Sequence, residues 1–311
     1  MIWSISESKT FRRCQRQWYY KSVAANANAS DPLRRKLYFL SKLQSVSAWR
    51  GQIVDDVISE VLIPAIVFKR RVTLEQLKAA ARQRFERQLA CAKQHKLLSP
   101  GFSPTALGAD FAAFHCMEYG NGIDEAELKK SAEEIEQSLT NLFSMDQVKE
   151  LLKSATKLVP QRPLFFPHSG VSVRAVPDMI AFFSNRPPVI VDWKVHFFGI
   201  DEAWRQLAVY ALALTRCNPH RDFPSTLQTH RVGDIELVEV QLLTNHVRRS
   251  TLDEDEVEAA ESYIAESATE MMLAVGGRKP SELSAEEFSV AWFRSSCQSC
   301  AFKCVCWGEE V

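Results

Sequence analysis

Asp192 and Lys194 lie inside Val189-Ile190-Val191-Asp192-Trp193-Lys194-Val195, a run otherwise apolar enough to be a central strand. Side chains alternate faces along a strand, so the two charges point the same way, and burying either one unpaired costs several kcal/mol. Asp178 follows Pro177 on the preceding run, and a turn between the runs brings it beside Asp192. Two carboxylates at one point repel. A hard divalent cation, Mg²⁺ or Mn²⁺, resolves that repulsion by taking their oxygens, a main-chain carbonyl such as that of Trp193, and water. Lys194 then stands beside the bound water. Metal and ammonium both favour hydroxide, and the cation offsets the charge of a phosphodiester under attack, so the chemistry expected is phosphate-ester hydrolysis. The competing reading of the same residues is a buried ion-pair network that serves structure only.

A second group lies near the other end of the chain. Four of the eight cysteines fall within residues 297–306, and Cys297-x2-Cys300-x5-Cys306 leaves one position of a tetrahedral metal site open. Cys14 is the expected fourth ligand, so that zinc or an iron-sulfur cluster clips the first helix to the last loop. Cys304 is an alternative ligand or a spare, and Cys91, Cys116 and Cys217 read as core thiols. The histidines form no His-x3-His pair; His196 continues the face of Asp192 and Lys194, either touching phosphate or closing the strand. Trp3, Trp18, Trp49 and Trp193 offer stacking surfaces for unpaired bases, with buried packing as the default.

The elements that must position these groups follow from periodicity. Residues 6–22 have helical spacing, with Ser6 or Ser8 as cap and Phe11, Cys14, Trp18 and Tyr19 recurring at three- and four-residue steps, which turns Cys14 inward. A second helix is expected from near Arg50 to about Leu62, ahead of Pro64. Thr73 with Gln76 makes a capping box for a helix to about His95, and residues 124–156 alternate charge with Leu, Ile and Phe at helical spacing. After Pro160 the character changes. Residues 171–176 and 179–183 read as a strand, 184–188 as a turn and 189–195 as a second, more buried strand. Residues 202–215 return to helix, 235–243 read as strand, 253–275 as a long acidic helix, and Ser284 with Glu287 caps a last helix. The pattern implies one α/β core with a helical insertion.

Length, 311 residues, and 46% hydrophobic composition suffice for a buried core. No apolar run reaches the roughly 20 residues that span a bilayer, and the first eight residues lack a signal-peptide pattern, so a cytoplasmic location is expected. No Gly-x4-Gly-Lys-Ser/Thr loop supplies an ATP motor. The formal net charge is zero, yet residues 1–50 hold ten Lys or Arg against Glu7 and Asp31, while acidic residues gather later, as in Asp253-Glu254-Asp255-Glu256. A basic face on a neutral protein, or simply a solvated helix surface, follows.

Pro177-Asp178, thirteen residues, then Asp192-Trp193-Lys194 resembles the PD-(D/E)XK nuclease motif. Gln206-Leu207-Ala208-Val209-Tyr210 follows, as the Gln-x3-Tyr motif does in the RecB-like branch. Cys14 with Cys297, Cys300 and Cys306 is similar to the iron-sulfur subset of that branch, which includes AddB-type nuclease domains and the CRISPR-associated adaptation exonucleases. The opening Ile5-Ser6-Glu7-Ser8-Lys9 and Cys14-Gln15-Arg16-Gln17-Trp18-Tyr19-Tyr20 also looks like the start of those proteins. The resemblance implies a restriction-endonuclease-like α/β core, a mixed central sheet flanked by helices, with a helical insertion and a C-terminal iron-sulfur staple. It implies a single nuclease module over 1–311: an N-terminal helical region (1–50), a helical insertion (51–160), the catalytic core (161–250) and C-terminal helices with the cysteines (251–311).

The implied activity is Mg²⁺- or Mn²⁺-dependent exonuclease action on DNA ends or single strands, in the service of repair or antiviral defence, with a [4Fe-4S] cluster favoured over zinc. Asp178 and Asp192 hold the cation, Lys194 assists the water, Gln206 and Tyr210 shape the site, and Arg12, Arg13, Arg16 and Lys21 contact phosphates. A helicase or other repair and defence proteins are implied partners. Two departures stand out. Where that branch has Gly-x3-His, Gly51 leads instead to Asp55, a possible third metal ligand with Asp56 and Glu60 nearby, and Gln15 follows Cys14 where Pro is common. The Asp55 departure keeps a second class of function open, an inactive nuclease-fold scaffold subunit that binds DNA. A zinc-stapled protein of unrelated function is the third.

Overall fold

The computed structural model describes residues 1–94, 97–98, 104–120, 122–195, 200–225, 227 and 230–308. In chain order the elements are β1 (Ile2–Trp3), α1 (Ile5–Arg13), α2 (Gln15–Trp18), a π-helical turn (Tyr19–Ala24), α3 (Pro32–Leu40), α4 (Val46–Val57), a second π turn (Ile58–Leu62), α5 (Ile63–Val67) and α6 (Leu74–Gln94). Then follow α7 (Pro104–Leu107), α8 (His115–Glu118), α9 (Glu125–Ser144), α10 (Asp146–Ser154), β2 (Lys157–Pro160), β3 (Leu164–His168), β4 (Val171–Ala175), β5 (Met179–Phe182) and β6 (Val189–Lys194). α11 (Ile200–Arg216), β7 (Glu236–Gln241), β8 (His246–Ser250), α12 (Glu254–Val275), α13 (Ser295–Gln298) and α14 (Lys303–Trp307) complete the chain. The fold is mixed α/β with mixed sheets. No described helix is long and apolar enough to cross a membrane.

One compact unit comprises Met1–Ile5, Arg50–Ala81 and Glu133–Thr269. It contains a five-stranded sheet of order β2-β5-β6-β7-β8 and a three-stranded sheet of order β1-β4-β3. β6 is central, antiparallel to β5 and parallel to β7. Its Val189-Ile190-Val191 run is buried, as a strand covered on both faces requires. The edge strand β8 carries His246, Arg248 and Arg249, charges that discourage pairing with another chain. α11 packs on β3, β4, β6 and β7, burying Leu207, Leu212 and Leu214, each worth about 2 kcal/mol of apolar transfer.

Sequence reading placed 171–183 in one hairpin arm; the structure divides it. β4 pairs with β3 and, in parallel, with β1 through Ile2↔Ser172 and Trp3↔Val173, whereas β5 joins the other sheet. Pro177, with no N–H to give a ladder, sits in the break. Trp3 is held there by its indole N–H donating to Ser267 Oγ of α12 at 3.0 Å. The helix expected to stop before Pro64 begins earlier, at Val46, and continues to Val67. The Ile63 N–H bonds back to Ile58, a five-residue step, so the missing proline N–H falls where the hydrogen-bond register already changes. The Thr73–Gln76 capping box is present in both directions. His95, the expected end of α6, lies outside the described residues.

The other compact unit comprises Ser6–Trp49, Arg82–Ala132 and Glu270–Val311. Here the expected helix 6–22 is broken at Cys14, whose extended backbone (φ −162°) caps α2 while its Sγ accepts from the Gln17 N–H at 3.4 Å. Aromatic contacts join early and late sequence. Trp18 meets Phe11 edge-on at 5.0 Å, Tyr19 stacks on Phe288 at 4.4 Å, and the Tyr19 hydroxyl donates to the Leu283 carbonyl at 2.9 Å. Trp49 lies between Phe85 and Phe114. The Ser284–Glu287 box closes a single 3₁₀ turn, not a helix, after which Phe288 extends to reach Tyr19. Trp3, Trp18, Trp49 and Trp193 are all buried, which commits them to packing.

Candidate functional site

The β5–β6 register pairs Met179 with Val191, so one step beyond it sets Asp178 opposite Asp192. The Trp193 backbone N–H donates to Asp178 Oδ2 at 2.8 Å, tying that carboxylate to the next strand. Lys194 Nζ stands 2.6 Å from Asp192 Oδ2, with side chains 12% and 1% exposed. Four residues apart on α11, Gln206 and Tyr210 share a face. Gln206 Oε1 accepts from Lys194 at 3.4 Å, and its Nε2 donates to Asp192 Oδ1 at 3.4 Å and to Tyr210 Oη at 2.5 Å. The five residues expected to carry the chemistry therefore form one bonded group.

Its electrostatics follow from burial. Desolvation, then the charges of Asp192 and Asp55, hold Asp178 well above the usual carboxylate range. Desolvation likewise raises Asp192, against the pull of Lys194. Burial alone would lower Lys194, but Asp192 and Asp178 outweigh it and the ammonium sits above its ordinary value. Tyr210 is raised by burial and by the same carboxylates, so its phenol stays protonated as a hydrogen-bonding group.

Asp55, on α4, belongs to this cluster. Burial first, then Asp56 and Asp192, push it up to about 7. Gln161 donates its side-chain N–H to Asp55 Oδ2, and its backbone N–H bonds the Asp178 carbonyl at 3.0 Å. It does so from a left-handed backbone (φ 50°), strained for a residue with a Cβ. Glu60 is exposed on the π turn, and Asp56 is half-buried beside Asp55. Sequence reasoning missed Gln161 because nothing local marks it. It also missed Glu239, buried on β7 in direct register with Asp192 and bonded by Gln241 Nε2 at 2.8 Å. The signal for Glu239 was available: a lone carboxylate in Leu237-Val238-Glu239-Val240 is as anomalous as Asp192 in its own strand.

Asp55 Oδ1 is buried without a hydrogen-bond donor, and Asp192 Oδ2 is buried against the Lys194 ammonium at 2.6 Å. Mutually repelling, partly unsatisfied carboxylate oxygens are the donor type that Mg²⁺ or Mn²⁺ takes. Among the described residues no three His, Cys, Asp or Glu side chains already stand as a metal-ligand group. The fit is one of charge and donor chemistry, with Lys194 and Gln161 occupying carboxylate oxygens. His196 lies outside the described residues.

In the other unit, Cys14, Cys297, Cys300 and Cys306 stand within electrostatic reach of one another. Burial first, then these neighbouring thiols, raise Cys297 and push Cys300 up to about 11. Arg16 donates to the Phe288 carbonyl at 3.2 Å and reaches Cys306 Sγ at 4.0 Å. Cys304 is buried, with its Sγ 3.2 Å from Tyr119 Oη. Of the other expected phosphate contacts, Arg12 pairs with Glu270, Arg13 donates to Gln17, and Lys21 is exposed. Cys91 and Cys217 are buried and Cys116 is half-buried.

A family model described as the PD-(D/E)XK nuclease superfamily matches residues 2–307. The crystal structure of SSO0001 aligns with 75% of this chain and 98% of its own at 12% identity and a TM-score of 0.31, too weak a likeness to support any argument. No curated protein matches the chain.

Proposed function

The chain belongs to the PD-(D/E)XK nuclease superfamily, and on that premise we propose that it is a Mg²⁺- or Mn²⁺-dependent deoxyribonuclease, acting as an exonuclease on DNA ends or single strands. The observation that carries this reading is the buried convergence of Asp178, Asp192 and Lys194, with Gln206 bonded to Asp192 and Lys194 and with Gln161 linking Asp55 to the Asp178 backbone. Asp178, Asp192 and Asp55 would hold the cation, together with the Trp193 carbonyl. When bound, the cation supplies acidified water and charge neutralisation for the phosphodiester. Lys194, steadied by Asp192 and Gln206, presents an ammonium that stabilises the hydroxide-like oxygen adding to phosphorus as the ester P–O bond breaks. Tyr210 keeps Gln206 turned toward Asp192.

Cys14, Cys297, Cys300 and Cys306 would hold a [4Fe-4S] cluster, with zinc as the rival for the same four thiolates. Arg16 serves that centre through Phe288 and Cys306, which leaves Arg13 and Lys21, beside Arg12, as the surface cations for phosphate. A cytoplasmic place in repair or antiviral defence, with a helicase or related protein as partner, belongs to the same reading, as does a single nuclease module over the whole chain.

The test is anaerobic purification followed by incubation with end-labelled single- and double-stranded DNA, with Mn²⁺, Mg²⁺ or EDTA, beside Asp192→Ala and Lys194→Ala. Metal-dependent products from the parent alone are expected. Intact DNA that is nonetheless bound would replace the enzyme with the scaffold reading. A brown preparation with iron and sulfide is expected; a colourless one with zinc would replace the cluster.

A further inference from the structure

A cavity of about 380 Å³ opens in the unit that carries the carboxylates, yet it shares no residue with them. Its floor is apolar: Leu62, Leu142 and Leu152 are buried, and Ile66 and Phe143 half-buried. Its exposed lining is cationic. Arg70, Arg71 and Lys153 stand in solvent with Lys149 half-buried beside them, and no carboxylate belongs to the lining. Asp146, outside it, pairs with Lys149 at 2.6 Å and leaves the positive excess in place.

The two halves are built from separate helical segments. Leu62 and Ile66 recur at a four-residue step along the π turn and α5, and Lys149 and Lys153 do the same on α10, so each presents its pair on one face. Lys69, at φ 52°, ends the first segment, and the Arg70 guanidinium lies 5.4 Å from the ring of Phe68. Phe68 and Val67 are 66% and 51% exposed, which extends apolar surface beyond the cavity mouth.

A bare phosphate gains nothing from an aliphatic floor, and stacked bases need flat aromatic faces, of which Phe143 is the single one among the described lining residues. A carboxylate-bearing chain with large apolar side chains satisfies both halves, its anchors in the floor and its acids at the rim. We propose that this pocket docks an acidic segment of a partner protein that carries apolar anchor residues. It recruits a partner without touching the site of hydrolysis, and it does not depend on the nuclease reading.

The probe is a fluorescein-labelled peptide of about twelve residues, rich in Asp and Glu, with Leu and Phe four residues apart, titrated against the full chain by fluorescence anisotropy. Saturable binding is expected. It should weaken at least about tenfold when the Leu and Phe become Ser, and equally when the acids become amides. Arg70→Glu combined with Lys153→Glu should weaken it at least about tenfold while metal-dependent DNA cleavage and the thermal midpoint stay as in the parent. Absence of saturable binding would overturn the proposal. So would binding that ignores the apolar residues or the two substitutions, or an oligothymidine that binds the parent and loses affinity in the double variant when the peptide shows no such dependence.

Discussion

The carboxylate cluster and the cysteine cluster are built in opposite ways. Asp192 stands on β6 and Asp178 one residue ahead of its neighbour β5, whose ladder hydrogen bonds with β6 bring the two together, and α11 closes over them with Gln206 and Tyr210. Their positions are over-determined by backbone. The four cysteines come from a helix cap (Cys14), from the single-turn helices α13 and α14 (Cys297, Cys306) and from the turn between them (Cys300), where only local backbone bonds specify a thiol's place. A sheet can hold repelling groups together without a ligand; short turns cannot do so with equal stiffness. On the reading proposed above, a metal would therefore serve chemistry in the first site and architecture in the second.

The sharpest way to break that contrast is to remove each ligand set in turn. Cys300→Ser should cause the larger structural loss, since structural metal sites are worth on the order of 10 kcal/mol. Hydrogen exchange should show protection lost around Phe11–Tyr20 and Leu283–Phe302, with β5, β6 and β7 retaining theirs; uniform loss would mean that the two sites are not independent supports. Asp192→Ala should abolish cleavage yet leave the cysteine centre loaded. It also strands Lys194 in the interior, at a cost of about 3 kcal/mol in chemical denaturation, and pairing it with Lys194→Met should recover most of that loss.

A smaller effect concerns pH. Asp55 has its folded pKa raised to about 7 from an ordinary 3.8, chiefly by burial, so the folded state favours its protonated form. That contribution is complete below about pH 4 and is lost as pH rises through about 7, beyond which the charged group destabilises the metal-free fold. Asp55→Asn removes this pH dependence. Metal-free Asp55→Asn should melt several degrees above the parent at about pH 8, the gap closing toward about pH 4, and saturating Mg²⁺ should narrow it by stabilising the parent alone. Equal melting at both pH values would remove Asp55 from the cluster.

The finest test is Gln161→Ala, which deletes the donor that orients Asp55. The Mn²⁺ concentration for half-maximal cleavage should rise about tenfold, with the saturated rate little changed. Gln161→Gly removes the same donor but relieves the left-handed strain, so it should match Ala in metal response while melting higher by a few degrees. A Gln161→Ala enzyme with parental Mn²⁺ response would reduce this residue to a turn former.

What was legible beforehand was local. Alternation along 189–195 puts Asp192 and Lys194 on one face, and a short connection to the strand before it brings Asp178 beside them, because the buried alternation of both strands favours one register. The Thr73–Gln76 cap, the α12 helix and the Gln206–Tyr210 face are equally short-range. The rest required partners distant in sequence. Helical spacing across 6–22 says nothing of a break at Cys14, which becomes worthwhile only with Ser289, Phe288 and the late cysteines at hand. The division of 171–182 between two sheets depends on β1 arriving from residues 2–3, and the support of Asp55 depends on Gln161 reaching it across 106 positions. Sequence alone determined which residues carry charge and thiol and which faces they share, because those follow from backbone periodicity. Only the tertiary structure decided what surrounds each group, because burial and hydrogen-bond partners arise from segments that meet through packing, with no trace in local spacing.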